Sequence, residues 1–243
     1  MPTPPMIPRP AATLILTRDT CAGLEVFMMQ RTYQASFMPG FFVFPGGAVD
    51  PADHCETMLA LCHGSQALDL SHQLGFGENG LAYAIAAIRE SFEEVGLLLA
   101  RNTEGRYVDI AQPYDIECYT RLREGLYSGQ LTFAEVVHSQ GLIAAVDQLA
   151  LLSRWVTPEG LPRRYDTRFF VAAAPEQQIA VPDGQEAIDH RWIAPTQALA
   201  LSDQGEMQLS LPTVTTLQDI STFTTTAALL SHARQQGSIE PIY

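Results

Sequence analysis

The chain has 243 residues, 47% of them hydrophobic, and its net charge of −13 comes from 27 acidic against 14 basic residues. This length fits one large domain with a sizeable core. The acidic balance excludes non-specific nucleic-acid binding, which needs Lys and Arg to neutralise phosphates. The proline-rich N-terminus lacks the apolar region of a secretory signal, and no apolar run approaches the ~18 residues of a membrane span. We therefore expect a cytoplasmic protein with neither a membrane nor a nucleic acid as partner.

The first part of the chain is predicted to be rich in strands. Apolar, β-prone runs over 12–18 and 24–31 flank a short loop, which predicts a β-hairpin. A further short strand is predicted over 41–44, and Pro45-Gly46-Gly47 is predicted to end it as a turn. Residues 48–79 have a mixed pattern, and we interpret them as an insertion with one short helix.

The remainder of the chain interleaves helices and strands. Residues 81–95 form the clearest predicted helix, and a second helical region spans 114–148 with a capping box at Thr132–Glu135. The elements predicted after it are strands at 149–156, 164–174 and 188–193, a helix opening at Pro195, and helical structure after Pro212. Because strands and helices do not alternate regularly, a mixed α/β sandwich is favoured over a doubly wound sheet.

The helix over 81–95 separates an apolar stripe from an acidic cluster. At about 100° per residue, the apolar side chains that share one side are Leu81, Ile85, Ile88, Phe92 and Val95. Glu90, Glu93 and Glu94 fall on the opposite side. Carboxylates three and four residues apart repel each other, and the helix dipole disfavours them near this end. A hard divalent cation, Mg²⁺ or Mn²⁺, would relieve the repulsion; the alternative is a solvated acidic face.

Two motifs surround these acids. They are the turn Phe44-Pro45-Gly46-Gly47 and the run Arg89-Glu90-Ser91-Phe92-Glu93-Glu94-Val95-Gly96-Leu97. Together they resemble the Nudix box, whose helical part reads Arg-Glu-apolar-x-Glu-Glu-x-Gly-apolar; within that part only Ser91 departs, at a usually apolar position. The resemblance implies an α/β fold of the Nudix type, an α/β/α sandwich with a mixed β-sheet and helical insertions, in a single domain over 1–243.

The chain departs from the usual box upstream of the helix. Gly47 and Arg89 are 42 positions apart instead of 14, which indicates an insertion of 28 residues. Counted back from Arg89, the glutamate usually found eight positions earlier is replaced by Leu81. A long insertion here is similar to the larger Nudix proteins that include coenzyme A diphosphatases. Insertions are accordingly predicted at about 48–79 and, as helices, at about 112–148.

The resemblance implies metal-assisted hydrolysis of a diphosphate linkage. The implied substrate is a small nucleoside-diphosphate derivative: coenzyme A or acyl-CoA, a dinucleotide, or an ADP-sugar. Glu90, Glu93 and Glu94 would bind Mg²⁺ or Mn²⁺ with help from the Gly47 carbonyl. Arg89 would orient a glutamate and, with Glu93 and Glu94, belong to the catalytic group.

The remaining candidate residues lie outside the helix. Glu186, in a loop before a strand, is the candidate general base, with an ordinary exposed loop glutamate as the alternative. Gly46 and Gly47 would allow the substrate close to the backbone, and Arg31 is assigned to substrate binding. Alternation places Arg164 and Arg168 on one strand face, where they would clamp an anionic substrate or form a solvated face.

Two other interpretations stay open at this point. A Nudix-fold module that senses a nucleotide without cleaving it would explain both the missing upstream glutamate and the long insertion. A zinc site would use the pairs His54-Cys55 and Cys62-His63, although their spacing fits no usual zinc signature. The sequence leaves open whether the protein forms a homodimer.

Overall fold

The alternation of buried side chains along the first strand sets the architecture of the chain, whose computed structural model describes residues 6–62, 80–161, 163–236 and 239–243. On β1 (Arg9–Thr20), Leu14 and Leu16 belong to one apolar cluster and Ile15 to a second. Successive side chains of a strand point to opposite faces of its sheet. The sheet therefore lies between two apolar layers.

One mixed sheet is built around β1. Its other strands are β2 (Gly23–Arg31), β3 (Phe42–Val43), β4 (Gly46–Ala48), β7 (Ala150–Val156), β8 (Tyr165–Ala173) and β9 (Ala187–Ile193). The strand order is β3-β2-β1-β8-β7, with β4 paired to β1 and β9 paired to β2. β1 and β8 are parallel, whereas the other pairs are antiparallel. A small separate ladder joins β5 (Ala100–Arg101) to β6 (Ile143–Ala144). The predicted mixed α/β class and the β1–β2 hairpin are confirmed.

Helices cover both faces of this sheet. They are α1 (Glu56–Ala60), α2 (Gly80–Val95), α3 (Pro113–Tyr127), α4 (Phe133–Ser139), α5 (Pro195–Asp203), α6 (Leu211–Ile220) and α7 (Thr226–Gln235). The first four contribute to the apolar cluster of Leu14 and Leu16, and the last three to that of Ile15. The result is the expected α/β/α sandwich. Among the described residues, no helix combines the length and the apolar character needed to cross a membrane.

Two predicted elements differ in the structure. Gly46 and Gly47 do not end a strand as a turn; they form β4, which pairs with Thr13 and Ala12 of β1. A side chain at Gly46 would place its Cβ 2.7 Å from Thr13 Cα, so glycine is required by the close approach of β1 rather than by a turn. The prediction of helical structure after Pro212 is wrong at its end, because Ile242 is extended and bridges Trp155 of β7.

The two predicted insertions both contain helices. Within 48–79, a 3-10 helix (Pro51–His54) precedes α1, and residues 63–79 lie outside the described part. Within 112–148, the predicted helical region consists of two helices, α3 and α4. Thr132 accepts from the Glu135 N–H while Glu135 Oε2 accepts from the Thr132 N–H at 2.7 Å, which confirms the predicted capping box. The single-domain organisation stays a prediction.

The apolar stripe of α2 is buried as predicted, and it anchors the acidic end of this helix. Ile85 has no exposed surface. Replacing Ile85 with Ala should lower the free energy of unfolding by about 2–5 kcal/mol, because a buried cavity is left behind. Ile116→Ala on α3 is the matched control, since Ile116 is 40% exposed. Urea denaturation measures both, and equal losses would contradict the assignment of α2 to the core.

Candidate active site

The acidic end of α2 faces the protein and not bulk solvent. The side chains of Glu90, Glu93 and Glu94 are 14%, 20% and 4% exposed, respectively. The solvated acidic face, which was the alternative for this charge run, is therefore excluded. The helix brings these carboxylates together at its last turns, against β4.

Glu94 is held by the first glycine of β4. Its Oε2 accepts a hydrogen bond of 2.9 Å from the Gly46 N–H. Its Oε1 is buried and has no hydrogen-bond partner among the described residues. Among the described residues, the guanidinium of Arg31 lies beside this atom, with Nη1 at 3.9 Å. Since a buried, unsatisfied carboxylate oxygen is costly, this atom points to a group that the described residues do not supply.

Glu90 packs against the second glycine of β4. A Cβ at Gly47 would lie 2.5 Å from Glu90 Cδ and 2.8 Å from Oε2. No side chain larger than hydrogen fits between the strand and this carboxylate. The two glycines therefore serve different carboxylates: Gly46 donates to Glu94, and Gly47 makes room for Glu90.

Arg89 is the hub of the cluster. Its Nη1 donates to Glu90 Oε1 at 3.0 Å and to Glu93 Oε2 at 3.2 Å. Its Nη2 donates to the Ala48 carbonyl at 2.9 Å, next to the glycines. In the ranges that the structure describes, no three His, Cys, Asp or Glu side chains are already grouped as metal ligands. Glu90 and Glu93 instead accept hydrogen bonds from this guanidinium.

Asp53 is an acidic residue of the site that the sequence motifs did not identify. It is 1% exposed and binds Arg89 through two hydrogen bonds, Oδ1 to Nε at 3.0 Å and Oδ2 to Nη2 at 3.1 Å. In the usual box spacing the upstream glutamate follows the glycine by six positions, and Asp53 follows Gly47 by six. Leu81 is therefore the wrong equivalent, since counting back from Arg89 crosses the insertion.

Burial raises the pKa of all three glutamates on α2. For Glu90, desolvation and the charge of Glu93 outweigh Arg89 and raise the pKa to about 7. Burial and the charge of Glu90 raise the pKa of Glu94 well above its usual value, against the Gly46 N–H and Arg31. Burial also raises the pKa of Glu93. The cluster contains more negative charge than the neighbouring arginines compensate.

Arg31 and Glu186 are brought to the same place. Arg31, at the end of β2, lies 3.9 Å from Glu94 Oε1 and 4.0 Å from Glu186 Oε2. Glu186 is half exposed, and its charge contributes to the raised pKa values of Glu90 and Glu94. The structure thus places the predicted general base and a predicted substrate residue beside the glutamates.

Arg164 and Arg168 have contacts of a different kind. Arg164 donates to the carbonyls of Thr157 and Met6 at 2.9 and 2.6 Å. Arg168 is 2% exposed, pairs with Asp166, and lies over the Tyr83 ring. These contacts tie strands and α2 together. The substrate clamp by Arg164 and Arg168 stays a prediction.

Cys55 and Cys62, which belong to the possible zinc site, form hydrogen bonds with the backbone of α1. Cys55 Sγ accepts from the Met58 N–H as N-cap, and Cys62 Sγ donates to the Met58 carbonyl. Burial raises the pKa of Cys62 to about 12, which keeps its thiol protonated, whereas zinc requires a thiolate. His63 lies outside the described residues.

Two further residues lie at the site, Arg123 and Asp183, and little in the sequence indicates that they belong there. Arg123 of α3 donates from Nε to the Glu93 carbonyl at 2.7 Å. Asp183 accepts from the backbone N–H of Glu186 at 3.0 Å. An Asp-Gly pair marks a turn at 183–184, but no motif links Arg123 to α2. Asp53 could have been found, because Asp50-Pro51-Ala52-Asp53 matches a capping box.

The fold and the glutamate cluster together define a protein of the Nudix class. A crystal structure of a NUDIX hydrolase from Alicyclobacillus acidocaldarius superposes with a TM-score of 0.76 at 27% identity, covering 97% of this chain and 99% of that one. The family model described as the NUDT19 Nudix domain matches residues 67–220. The chain therefore belongs to the NUDT19 Nudix domain family.

Curated relatives are similar over most of this chain. The acyl-coenzyme A diphosphatase NUDT19 of Homo sapiens is 27% identical over 228 residues, which cover 81% of this chain and 57% of the relative. The Xenopus laevis protein of the same name is 27% identical over 211 residues, covering 75% and 56%. Putative nudix hydrolase 7 of Caenorhabditis elegans is 29% identical over 213 residues, covering 88% and 60%. The chain thus spans little more than half the length of these relatives.

The Asp53–Arg89 pair should be essential for stability at this site. Asp53→Asn removes the charge that balances a buried guanidinium, so we expect the free energy of unfolding to fall by about 3 kcal/mol. Asp50→Asn is the matched control, since Asp50 is 56% exposed and 3.7 Å from Arg89; its loss should stay below about 1 kcal/mol. Urea denaturation of both variants measures the difference. Equally small losses would show that Asp53 does not anchor Arg89.

Proposed function

We propose that the chain is a divalent-metal-dependent hydrolase that cleaves the diphosphate linkage of a nucleoside-diphosphate derivative, with coenzyme A or acyl-CoA as the favoured substrate. The observation that carries the proposal is the buried Glu94 Oε1, which lacks a hydrogen-bond partner among the described residues, within a carboxylate cluster packed on Gly46 and Gly47. Family membership is consistent with this activity.

The residues present fit a divalent cation. Glu94 Oε1 has no hydrogen-bond partner in the described ranges. Each carboxylate has about four lone-pair positions, so Glu90 and Glu93 can keep their hydrogen bonds to Arg89 and still bind an ion. With the Gly47 carbonyl, Glu90, Glu93 and Glu94 would hold the metal through oxygen atoms only. Such a donor set suits Mg²⁺ or Mn²⁺ and not a soft metal. When bound, a divalent cation neutralises phosphate oxygens and lowers the pKa of water.

The surrounding residues would bind and orient the reactants. Arg31 is 20% exposed and lies beside Glu94, where its guanidinium can bind a phosphate of the substrate. Arg89 fixes the carboxylates of Glu90 and Glu93 in place. The space that side chains at Gly46 and Gly47 would take is filled by Thr13 and Glu90, so a diphosphate would contact these glycines through their backbone groups.

Glu186 is the residue that would accept the proton. Its carboxylate is half exposed and within 4.0 Å of Arg31. A carboxylate at the edge of the cluster can take a proton from the attacking water as the new phosphorus–oxygen bond forms and the bridging one breaks, which releases the other half of the substrate as a phosphate monoester. The same carboxyl group can then return that proton to bulk solvent.

The choice of coenzyme A derivatives rests on the names of the relatives, which are acyl-coenzyme A diphosphatases. Cleavage would give 3′-phosphoadenosine 5′-phosphate and a phosphopantetheine. The alternative is a module that senses a nucleotide without cleaving it. Its main support was the missing upstream glutamate, and this support is lost because Asp53, and not Leu81, occupies that position. The cytoplasmic location and a homodimer stay predictions.

The proposal predicts metal-dependent turnover that depends on the α2 glutamates. Coenzyme A, acetyl-CoA, a diadenosine polyphosphate and ADP-ribose are incubated separately with Mg²⁺ or Mn²⁺, and products are identified by mass spectrometry. Wild-type protein should cleave at least one of them and stop when the metal is chelated. Glu93→Gln and Glu94→Gln should each lower kcat by about 100-fold or more, since each loses a charged ligand.

The control variant is Glu117→Gln, because Glu117 is 62% exposed on α3 and pairs with Arg121; its turnover should equal that of wild type. Turnover that survives both chelation and the two α2 substitutions would falsify the proposal. Thermal stabilisation by these compounds without any product would support the sensing module instead.

A further inference from the structure

The C-terminal end of α2 is completed by residues from two other parts of the chain. The last carbonyls of a helix have no partner within it. Here the Phe92 carbonyl accepts from the Gly96 N–H at 3.0 Å, and the Glu93 carbonyl accepts from Arg123 Nε at 2.7 Å. The Glu94 carbonyl accepts from the Asp183 N–H at 3.1 Å, and the Val95 carbonyl accepts from the Val181 N–H at 2.9 Å. The helix that carries the glutamates is thus joined at its end both to α3 and to the segment 181–186.

One guanidinium connects these two parts. Arg123 Nη1 donates to the Val181 carbonyl at 2.6 Å, while its Nε binds the Glu93 carbonyl. The planar fork of an arginine can bridge two acceptors in this way, whereas the single ammonium of a lysine cannot match both positions. Arg123 therefore fixes the distance between the helix end and Val181.

The segment 181–186 ends at Glu186. Asp183 Oδ1 accepts from the N–H groups of Glu186 and Ala187 at 3.0 and 2.8 Å. The Glu186 carbonyl accepts from the Thr32 N–H at 2.9 Å. The backbone at Glu186 is thus positioned by Asp183, whose own N–H binds α2. A shift of Val181 would be passed through Asp183 to Glu186.

The environment of Arg123 is not what stability alone would favour. Burial lowers the pKa of Arg123, against the charges of Asp183, Glu94 and Glu93. Its Nη2 is buried without a hydrogen-bond partner in the described part of the chain, which is unfavourable for a polar group. A guanidinium in so unfavourable an environment indicates that Arg123 serves to bridge the carbonyls of Glu93 and Val181.

We propose that Arg123 is a positioning residue that holds the segment 181–186 on the end of α2, so that the Glu186 carboxylate stays beside the glutamate cluster. This inference rests on the proposed hydrolysis and gives the 112–148 insertion a role in it. Arg123 acts through Glu186 and does not touch the substrate.

A double-mutant cycle tests this role. Arg123→Ala should lower kcat by about 10- to 100-fold, since a displacement of about 1 Å of a reacting group has that effect. KM should change by no more than about 3-fold, because substrate binding at Arg31 is untouched. In the Glu186→Gln background, Arg123→Ala should cause no further loss of kcat. Arg121→Ala on the same helix is the control, because Arg121 is 73% exposed; it should match wild type.

A purely structural role of Arg123 would lower kcat equally in both backgrounds, and this result would overturn the inference. Unchanged kcat in Arg123→Ala would overturn it as well. Full activity of Glu186→Gln would also overturn it, while leaving the proposed hydrolysis intact. If Arg123→Ala does not fold, Arg123→Lys replaces it in the cycle. Its loss of kcat should likewise disappear in the Glu186→Gln background.

Amide hydrogen exchange tests the docking without any turnover. Peptides that contain 181–186 should exchange faster in Arg123→Ala than in wild type or Arg121→Ala, because the hydrogen bonds of Val181 and Asp183 to α2 open more often. Equal exchange would overturn the inference even in an active enzyme. If wild type cleaves no substrate, the proposed function fails, and the exchange measurement still decides whether Arg123 docks the segment.

Discussion

The site depends on the contact between two carboxylates of α2 and the backbone of β4. Glu94 accepts from the Gly46 N–H, and Glu90 fills the space that a side chain at Gly47 would take. This contact fixes the helix on the strand, and it forces the three glutamates into a partly buried volume. Such crowding is unfavourable unless positive charge is supplied. Arg89 and Arg31 supply some of it, and Glu94 Oε1 remains without a hydrogen-bond partner among the described residues.

The surrounding structure holds this crowded arrangement in place. Asp53 holds the guanidinium of Arg89 in place, so this group can donate to both Glu90 and Glu93 from one fixed position. At the other end, Arg123 closes the helix C-terminus, where carbonyl groups and the dipole would otherwise add to the negative potential. Two arginines, one at each end of the run 89–95, thus stabilise the backbone and the carboxylates of the same helix.

Local patterns predicted the elements, whereas contacts between distant residues decided the details. The 3.6-residue period identified α2 and its acidic side, because burial and helix geometry act within a few neighbouring residues. Gly46-Gly47 was interpreted as a turn since glycine often breaks a strand, but the close approach of β1 was not visible locally. Asp53 was missed because an insertion displaced it in sequence while leaving it beside Arg89 in space. Arg123 binds backbone carbonyls, which every residue type has, so no sequence pattern reveals its partners.

The most direct test of the central contact is the binding of Mn²⁺ to wild type and Gly47→Ala, measured by titration calorimetry without substrate. The account predicts that wild type binds the ion and that Gly47→Ala, in which Glu90 must move, binds it at least about 10-fold more weakly. Circular dichroism would establish that the variant is folded. Equal affinity of the two folded proteins for Mn²⁺ would contradict the account, because the packing of Glu90 on β4 would then have no part in forming the site.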